Sequence, residues 1–165
     1  HWFDPLWRTC QKWIDRKWTG SVSVNENLPR EKQILSPSDF GFHNALQKAG
    51  HLHILDLEYF GWDDPVKLVS DFWWHPGMSL DEQLKSTWLS EATSLFVKYD
   101  PDFLTRINAL HPAYGLRWAL IVLNVYLRNH QENTVSHSYH RLQLQKFERL
   151  CEMTKKWLNS EQQII

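Results

Sequence analysis

The sequence of 165 residues predicts a single, mainly α-helical domain with one small β-hairpin. Both ends of the chain carry apolar residues at steps of three and four, which is the period of amphipathic helices. Only two short apolar runs around Gly50 favour strands. Strands and helices do not alternate, so a parallel doubly wound sheet is not expected. We divide the domain into a leading helix and loop (1–33), a segment of loops with the hairpin (34–64) and a helical subdomain (65–165).

The composition excludes several classes of protein. A net charge of −1 and a pI near 6.8 give no basic excess for binding nucleic acid. No apolar run approaches the roughly 20 residues of a membrane span, and the charged start of the chain has no apolar signal-peptide core. The cysteines, Cys10 and Cys151, form no CxxC pair, so neither a disulfide framework nor a thiolate metal site is expected. These features predict a cytoplasmic protein.

The leading helix is predicted over residues 2–18, with Pro5 in its first turn and a stop at Gly20. Residues 19–33 are polar and predict a loop. Most of the ten tryptophans are expected to pack in the core, the alternative being an aromatic surface for a flat ligand or a missing segment.

A hairpin is predicted where Ala45-Leu46 and the run Leu52–Leu57 flank the turn residue Gly50. The next helix is predicted to begin at Pro65 with Asp63 or Asp64 as its N-cap.

The sequence His75-Pro76-Gly77 ends this helical pattern. A third helix is predicted from a capping box of Ser79 and Glu82, with an apolar face. This face comprises Leu84, Trp88, Leu89, Leu95 and Phe96.

Three further helices are predicted in the rest of the chain. A short one opens at Pro101, a separate apolar and central one follows from Ala113, and a long amphipathic one runs over 137–158. In the central helix Arg117 is expected to be partly buried, either paired with an acid or facing a substrate cleft, and we favour the ion pair.

The segment 34–64 carries the chemistry. Asp39 precedes Asn44 by five positions, and Asp56 follows Asn44 after the predicted hairpin. Phosphoryl transfer needs a carboxylate that takes the proton of the attacking hydroxyl, and an amide and a second carboxylate that hold Mg²⁺. The spacing fits Asp39 as the base and Asn44 and Asp56 as the Mg²⁺ ligands. Reading the tripeptide Asp39–Gly41 as a DFG metal motif fails, because no D-x4-N precedes it.

The two motifs "LSPSDFGFHNAL" and "LDLEYFGWDDP" resemble the C-terminal lobe of the aminoglycoside phosphotransferase and choline kinase family, which has a protein-kinase-like fold. The resemblance covers about residues 34–72. It implies that Asp39 is the catalytic base and that Asn44 and Asp56 bind Mg²⁺. It also implies that Glu58 is a second metal or substrate contact.

The function that this resemblance implies is transfer of the γ-phosphoryl of ATP, with Mg²⁺, to a hydroxyl of a small molecule. A sugar, an aminoglycoside and a choline-like alcohol are all compatible acceptors, and helices after residue 78 would line the acceptor pocket. The family also places an acid at the start of the next helix, here Asp64, for which a structural role is expected.

The chain departs from the family pattern at several places. Pro37 stands where the family has a histidine, and Leu68 stands where an acid is usual, with Asp71 nearby. No Gly-rich loop or strand lysine occurs before residue 34. We therefore expect the enzyme to need an N-terminal lobe or partner chain for gripping the nucleotide.

Three alternatives remain open. The acids and Asn44 could serve only as turn and cap residues. The chain could be a non-catalytic kinase-like remnant that acts as a binding or interaction module. A histidine-based metal hydrolase is the third, since four histidines lie near the acids, although no HExxH spacing occurs. Those histidines are His43, His51, His53 and His75.

A separate pair, His137 and His140, lies three apart on the last predicted helix and is expected at the surface. No GxSxG motif supports an α/β-hydrolase.

Overall fold

The computed structural model describes residues 3–19, 24–128, 137–160 and 164. Most of these residues are helical, and the strands form two separate antiparallel pairs, which confirms the mainly helical class. In chain order the elements are α1 (Phe3–Lys17), β1 (Ile34–Ser36), β2 (Ala45–Lys48), β3 (His51–Ile54), β4 (Gly61–Asp63), α2 (Pro65–Trp74), α3 (Glu82–Phe96), α4 (Phe103–Val122), α5 (Asn124–Arg128) and α6 (His137–Asn159).

The predicted hairpin is confirmed as the pair β2–β3. Lys48 pairs with His51 across a turn whose residues, Ala49 and Gly50, both have positive φ, of 50° and 79°. Two such residues are typical of a two-residue hairpin turn that matches the strand twist. The predicted helix stop at Gly20 lies outside the described residues, and α1 ends at Lys17.

A second strand pair was not predicted. Strand β1 pairs with β4 in antiparallel register, from Ile34 opposite Asp63 to Ser36 opposite Gly61. This pair closes the segment that carries Asp39, Asn44 and Asp56, because both ends of the segment enter it side by side. The loops of the candidate site therefore begin and end at the paired strands β1 and β4.

Helix α4 lies at the centre of the core and packs against α6, α2 and α1. Its side chains Phe103, Ile107 and Leu116 are almost completely buried. Of the tryptophans in the described ranges, four are buried, which supports the core role for much of this residue type, whereas Trp7 and Trp62 are 40% and 51% exposed. The buried tryptophans are Trp13, Trp73, Trp74 and Trp157.

The prediction of two helices in the region of α4 was wrong. Helix α4 continues through Pro112, which cannot donate a hydrogen bond to the carbonyl of Asn108. The indole Nε1 of Trp13 in α1 donates to this carbonyl instead, over 2.9 Å. The docked α1 thus satisfies the acceptor that the proline leaves open. Pro101 lies in the turn before α4 and not in a helix.

The predicted start of α3 was also wrong. Asp81, not Ser79, caps the helix, and its Oδ1 accepts the backbone N–H of Leu84 over 2.7 Å. Ser79 is exposed and has a positive φ of 49°, so it belongs to the preceding turn. A capping box would need Ser79 at the N-cap position, but Ser79 lies two residues before the N-cap residue Asp81.

The predicted face of α3 is confirmed in part, because Trp88 and Phe96 also pack against the core. Leu89 is buried, but Leu84 and Leu95 are about half exposed. Lys85 is buried instead, because its Nζ pairs with Glu82 at 3.0 Å and lies 4.4 Å from the ring centre of Trp73. The long stem of lysine allows this burial while the ammonium keeps a charged partner.

The boundaries of α2 and α6 agree with the sequence, whereas the predicted central helix is divided, because α4 ends at Val122 and α5 begins at Asn124. Pro65 begins α2, and Asp64 caps it by accepting the backbone N–H of Val66 over 2.8 Å. The last helix, α6, spans His137–Asn159 as predicted. Both cysteines are free and buried, and burial raises the pKa of Cys10 to about 12. Among the described helices, none combines the length and apolar character that crossing a bilayer requires.

Candidate functional site

The loop between β1 and β2 holds Asp39 and Asn44 in direct contact. The side-chain Nδ2 of Asn44 donates to the backbone oxygen of Asp39 over 2.9 Å and to its Oδ2 over 3.2 Å. The backbone N–H of Asn44 donates to Gly41 over 3.0 Å in a short 3₁₀ turn. Among the described residues, the side-chain nitrogen of Asn44 thus donates to Asp39 alone, and its Oδ1 accepts no hydrogen bond. This oxygen is available to a further partner.

Hydrogen bonds of the backbone at the end of β1 fix the position of Asp39. The backbone N–H of Asp39 donates to Pro37 over 2.8 Å, and that of Ser38 donates to the buried Ser36 Oγ over 3.1 Å. Ser38 adopts a positive φ of 65°, a conformation that is uncommon for residues with a side chain and that clusters at functional sites.

The aromatic residue after Asp39 anchors the loop. The Phe40 ring lies 5.4 Å from that of Phe72 in α2 and 6.1 Å from that of Trp88 in α3, centre to centre. A Cβ at Gly41 would lie 2.6 Å from the exposed His43 ring and 3.0 Å from the Met78 sulfur, so a larger residue there would displace these side chains. The letters of Asp39–Gly41 therefore have a packing explanation that needs no metal-binding motif.

The hairpin returns the chain to Asn44 immediately before Asp56. The backbone N–H of Leu55 donates to the backbone oxygen of Asn44 over 2.7 Å. Asp56 follows with a positive φ of 55° and an exposed side chain. Within the described residues, the carboxylate of Asp56 has no hydrogen bond or ion pair. Asn44 and Asp56 thus lie at the same end of the hairpin with unpaired oxygens.

Glu58 lies beyond this contact. It is exposed in the turn that the Phe60 N–H closes on the Leu57 oxygen over 3.0 Å. Among the described parts of the chain, no bond joins Glu58 to Asp39, Asn44 or Asp56. Of the four predicted site residues, Asp39 and Asn44 are in contact, Asp56 follows the residue whose backbone bonds to Asn44, and Glu58 lies at the edge.

The available oxygens suit a hard cation. Mg²⁺ prefers oxygen ligands, keeps several waters and commonly takes only one or two protein carboxylates besides phosphate oxygens. The unpaired Oδ1 of Asn44 and the exposed carboxylate of Asp56 meet this requirement. The residues present therefore fit a bound Mg²⁺.

Sequence reasoning missed Lys67. Its Nζ donates to the Ser38 hydroxyl over 2.9 Å and pairs with Asp63 at 3.1 Å and Asp71 at 3.5 Å. A cation is thereby fixed one residue before Asp39. The two acids lie four positions to either side of Lys67 on or next to one helix, and this spacing could have indicated the ion pairs but not the bond to Ser38.

Lys67 also borders a cavity of about 790 Å³ between α1 and α4. The lining is mainly apolar and aromatic, with Arg117 and Asn124 among its few polar groups. The remaining lining residues are Phe3, Trp7, Leu110, Ala113, Tyr114, Leu116, Leu120 and Ile121. Its position beside Lys67 places it close to the loop of Asp39.

The ion pair favoured for Arg117 is confirmed, and the side chain also borders the cavity. Its guanidinium pairs with Asp71, to which the indole of Trp118 also donates over 3.0 Å, and it lines the cavity with 45% of its side chain exposed. Burial raises the pKa of Asp71, and this effect outweighs the opposite effects of Arg117 and Lys67.

Two histidines lie against Asp39. The Nε2 of His43 is 3.3 Å from Asp39 Oδ1, and the His43 ring stacks on that of His75 with centres 4.6 Å apart. Burial, followed by the neighbouring His43, lowers the pKa of His75 to about 4. His51 and His53 are exposed on β3 and join neither the histidine pair nor Asp39.

Asp64 has a structural role, as expected. Besides capping α2, its carboxylate accepts bonds from Arg106 Nε and Nη2, each over 3.1 Å. Arg106 is buried and also pairs with Asp100.

No family model, no curated protein and no solved structure matches this chain. Its function is therefore argued from the geometry of the site.

Proposed function

We propose that this chain carries the base and the Mg²⁺ ligands of a phosphotransferase, which transfers the γ-phosphoryl of ATP to a hydroxyl of a small molecule. One observation carries the proposal: Asn44 bonds to Asp39 through its side chain and to Leu55 through its backbone. This residue connects the proton acceptor to the metal side, while its own Oδ1 stays available. Positioning of this kind is the main source of catalysis in phosphoryl transfer.

Each residue has a distinct task in this reaction. The carboxylate of Asp39, oriented by Asn44, accepts the proton of the acceptor hydroxyl. ATP would supply the phosphoryl group. Asn44 and Asp56 would hold Mg²⁺, whose positive charge would offset the negative charge of the phosphates. Glu58 is a contact at the edge of this site for a second metal ion or the substrate. Lys67 fixes the Ser38 side of the loop.

The cavity beside Lys67 supports a small-molecule acceptor. A volume of about 790 Å³ is within the range of ligand pockets. It is lined largely by helix α4, in agreement with an acceptor pocket formed by helices after residue 78. The apolar lining favours an acceptor with an apolar part over a fully hydroxylated sugar.

A second lobe or a partner chain is part of the proposal, because no Gly-rich loop or strand lysine lies beside the hairpin within the part of the chain that the structure describes. The apolar side chains around the hairpin are about half exposed or more, as expected of a surface that another unit covers. They are Phe42, Leu46, Leu52, Leu55, Leu57, Tyr59 and Phe60. The same surface favours the second candidate, a non-catalytic binding module.

Calorimetric titration with ATP, with and without Mg²⁺, separates the two candidates. We expect Mg²⁺ to raise the affinity for ATP at least about tenfold, or ~1.4 kcal/mol. Asp56→Asn should remove this gain, because it removes a charged ligand. The exposed Glu91 of α3 provides a matched control, and Glu91→Gln should behave as the wild type. If Mg²⁺ has no effect and Asp56→Asn changes nothing, the phosphotransferase proposal fails and the binding module is favoured.

A further inference from the structure

We propose that Asp39, His43 and His75 form a binding site for a divalent transition-metal ion of the zinc class, distinct from the Mg²⁺ ligands Asn44 and Asp56. Each of the three side chains offers one ligand atom, and these atoms all lie within 4.8 Å of one another. Two imidazoles and one carboxylate are a common ligand set for Zn²⁺ and related ions, with the remaining positions left to water.

The fold brings these residues together from two separate elements. Asp39 and His43 belong to the loop after β1, and His75 is the residue that ends α2. The His75 ring is held in place by the Trp118 ring, whose centre is 4.4 Å away. Phe40 and Phe42 both pack on Phe72 of α2, which fixes the loop against that helix. The juxtaposition is therefore part of the packed structure.

The chemistry of the ligand atoms selects the class of metal. Imidazole nitrogen binds Zn²⁺, Co²⁺ and Ni²⁺ far better than it binds Mg²⁺. The His75 imidazole can offer a nitrogen lone pair to such an ion, and its ring is positioned by packing on Trp118.

Metal binding changes one hydrogen bond of His75. In the structure its Nδ1 accepts the backbone N–H of Gly77 over 3.0 Å, which places the ring proton on Nε2. When Nε2 binds the metal, this proton moves to Nδ1, and the exposed N–H of Gly77 turns to water. The number of protons on the ring is unchanged.

The ligand atoms must also close by a small distance. A tetrahedral ion with bonds of about 2.0–2.1 Å needs ligand atoms about 3.3 Å apart. The His43 side chain is 38% exposed and the Asp39 side chain 45% exposed, so both have room to rotate. The stacked rings, which are 16° from parallel, tilt apart as His43 turns towards the ion.

The shared ligand gives the site a consequence for activity. Asp39 cannot bind a transition metal and accept a proton from a hydroxyl at once. Zinc-class ions are therefore expected to inhibit phosphoryl transfer. This consequence rests on the proposed function, whereas metal binding itself does not.

Titration of the 165-residue protein with Co²⁺, without nucleotide, tests the site directly. We expect one equivalent of Co²⁺ to bind with visible absorption of a low-coordinate nitrogen and oxygen site, and Zn²⁺ to displace it. His43→Gln removes a ligand and should weaken binding at least about 10- to 100-fold, the loss that removal of a partner of a ligand already causes. The exposed hairpin histidines provide matched controls, so His51→Gln and His53→Gln should bind Co²⁺ as the wild type does. His75→Gln should also weaken binding, with its circular dichroism compared with that of the wild type.

Each result decides between the two sites. Asp56→Asn should retain full Co²⁺ binding, and this holds even if the phosphotransferase proposal fails. The inference is overturned if stoichiometric Co²⁺ gives no absorption, if His43→Gln binds as tightly as the wild type, or if Asp56→Asn abolishes binding. His43 is exposed and outside the core, so its variant keeps the test valid should His75→Gln fail to fold.

Discussion

His111 is a fully buried titratable residue of α4. Its Nδ1 lies 3.0 Å from the hydroxyl of Ser70, and three tryptophan rings surround it. Burial lowers the pKa of His111 to about 3. The imidazole is therefore neutral in the folded protein over the physiological range of pH.

This histidine makes stability depend on pH. Its pKa is about 6.5 in the unfolded chain and lower in the folded protein, so the unfolded state binds more protons between these values. The contribution is present above the unfolded pKa and is lost as the pH falls. We expect the free energy of unfolding to fall by about 2 kcal/mol between pH 7 and pH 5 through His111 alone.

Urea denaturation of His111→Phe at the two pH values checks this expectation. The variant removes the titrating group, so its loss of stability between pH 7 and pH 5 should be smaller than that of the wild type by this amount. A loss of stability that the substitution causes equally at pH 7 and pH 5 does not affect this difference between the two pH values. The exposed His53 serves as control, and His53→Gln should keep the wild-type dependence. Equal losses in wild type and His111→Phe would exclude His111 as the source.

At the scale of single residues, the sequence singled out Asp39 and Asn44, and the two are in contact because both lie within one short loop. It could not predict the approach of Lys67 or His75, since α2 reaches this loop only through tertiary packing. Glu58 shows the converse limit. Its position two residues after Asp56 matched a motif. In the structure it lies in an exposed turn, where no contact with another described residue fixes the direction of its side chain.

Among the elements, the crossing of α4 and α6 depends on Gly115. A Cβ at this position would lie 2.4 Å from Thr154 Oγ1 and 3.0 Å from the Trp74 ring. Both neighbours are fully buried, so neither can move freely. The two helices and α2 meet here at a separation that only glycine permits.

We expect Gly115→Ala to lower the free energy of unfolding by about 1–3 kcal/mol, as overpacking does in cores. Alanine in a helix interior would otherwise raise it by about 0.5–1 kcal/mol, so the sign is diagnostic. Gly61→Ala in β4 is the matched control, because the nearest atom to its Cβ, the Tyr59 oxygen, is 3.9 Å away. Chemical denaturation measures both. A stabilised Gly115→Ala variant would show that α4 and α6 can separate without loss.

Prediction of the elements succeeded where the signal was local. The hairpin turn at Gly50 and the cap at Asp64 are each set by residues within a few positions. The pair β1–β4 was missed because its three-residue strands lie far apart in the sequence and carry no alternating pattern. The unbroken α4 was missed because the group that compensates for Pro112 comes from α1.

For the molecule as a whole, Arg106 joins three distant segments. It pairs with Asp64 at the start of α2 and with Asp100 before α4, and Lys32 pairs with Asp100 at 3.0 Å. Burial acts to raise the pKa of Asp100, but the bonds from Arg106 and Lys32 outweigh it and hold this pKa below its ordinary value. This cluster ties the base of the candidate site to the helical core.

We expect Arg106→Met to lower the free energy of unfolding by about 3–5 kcal/mol, because it leaves a buried carboxylate without its main partner. The more exposed Lys32 is the control, and Lys32→Met should cost about 1 kcal/mol or less. Thermal and urea denaturation at pH 7 provide the measurement. A cost for Arg106→Met as small as that for Lys32→Met would show that the cluster is not needed to join the segments.

The bond from Trp13 to the carbonyl of Asn108 makes two remote positions depend on each other. A residue other than proline at position 112 would restore a backbone N–H and give this carbonyl a second, competing donor. The indole of Trp13 would then lose part of its attachment, even though the helix itself would gain a regular hydrogen bond. A replacement that improves α4 in isolation would thus loosen the start of the chain, so Trp13 and Pro112 act as one unit of the sequence.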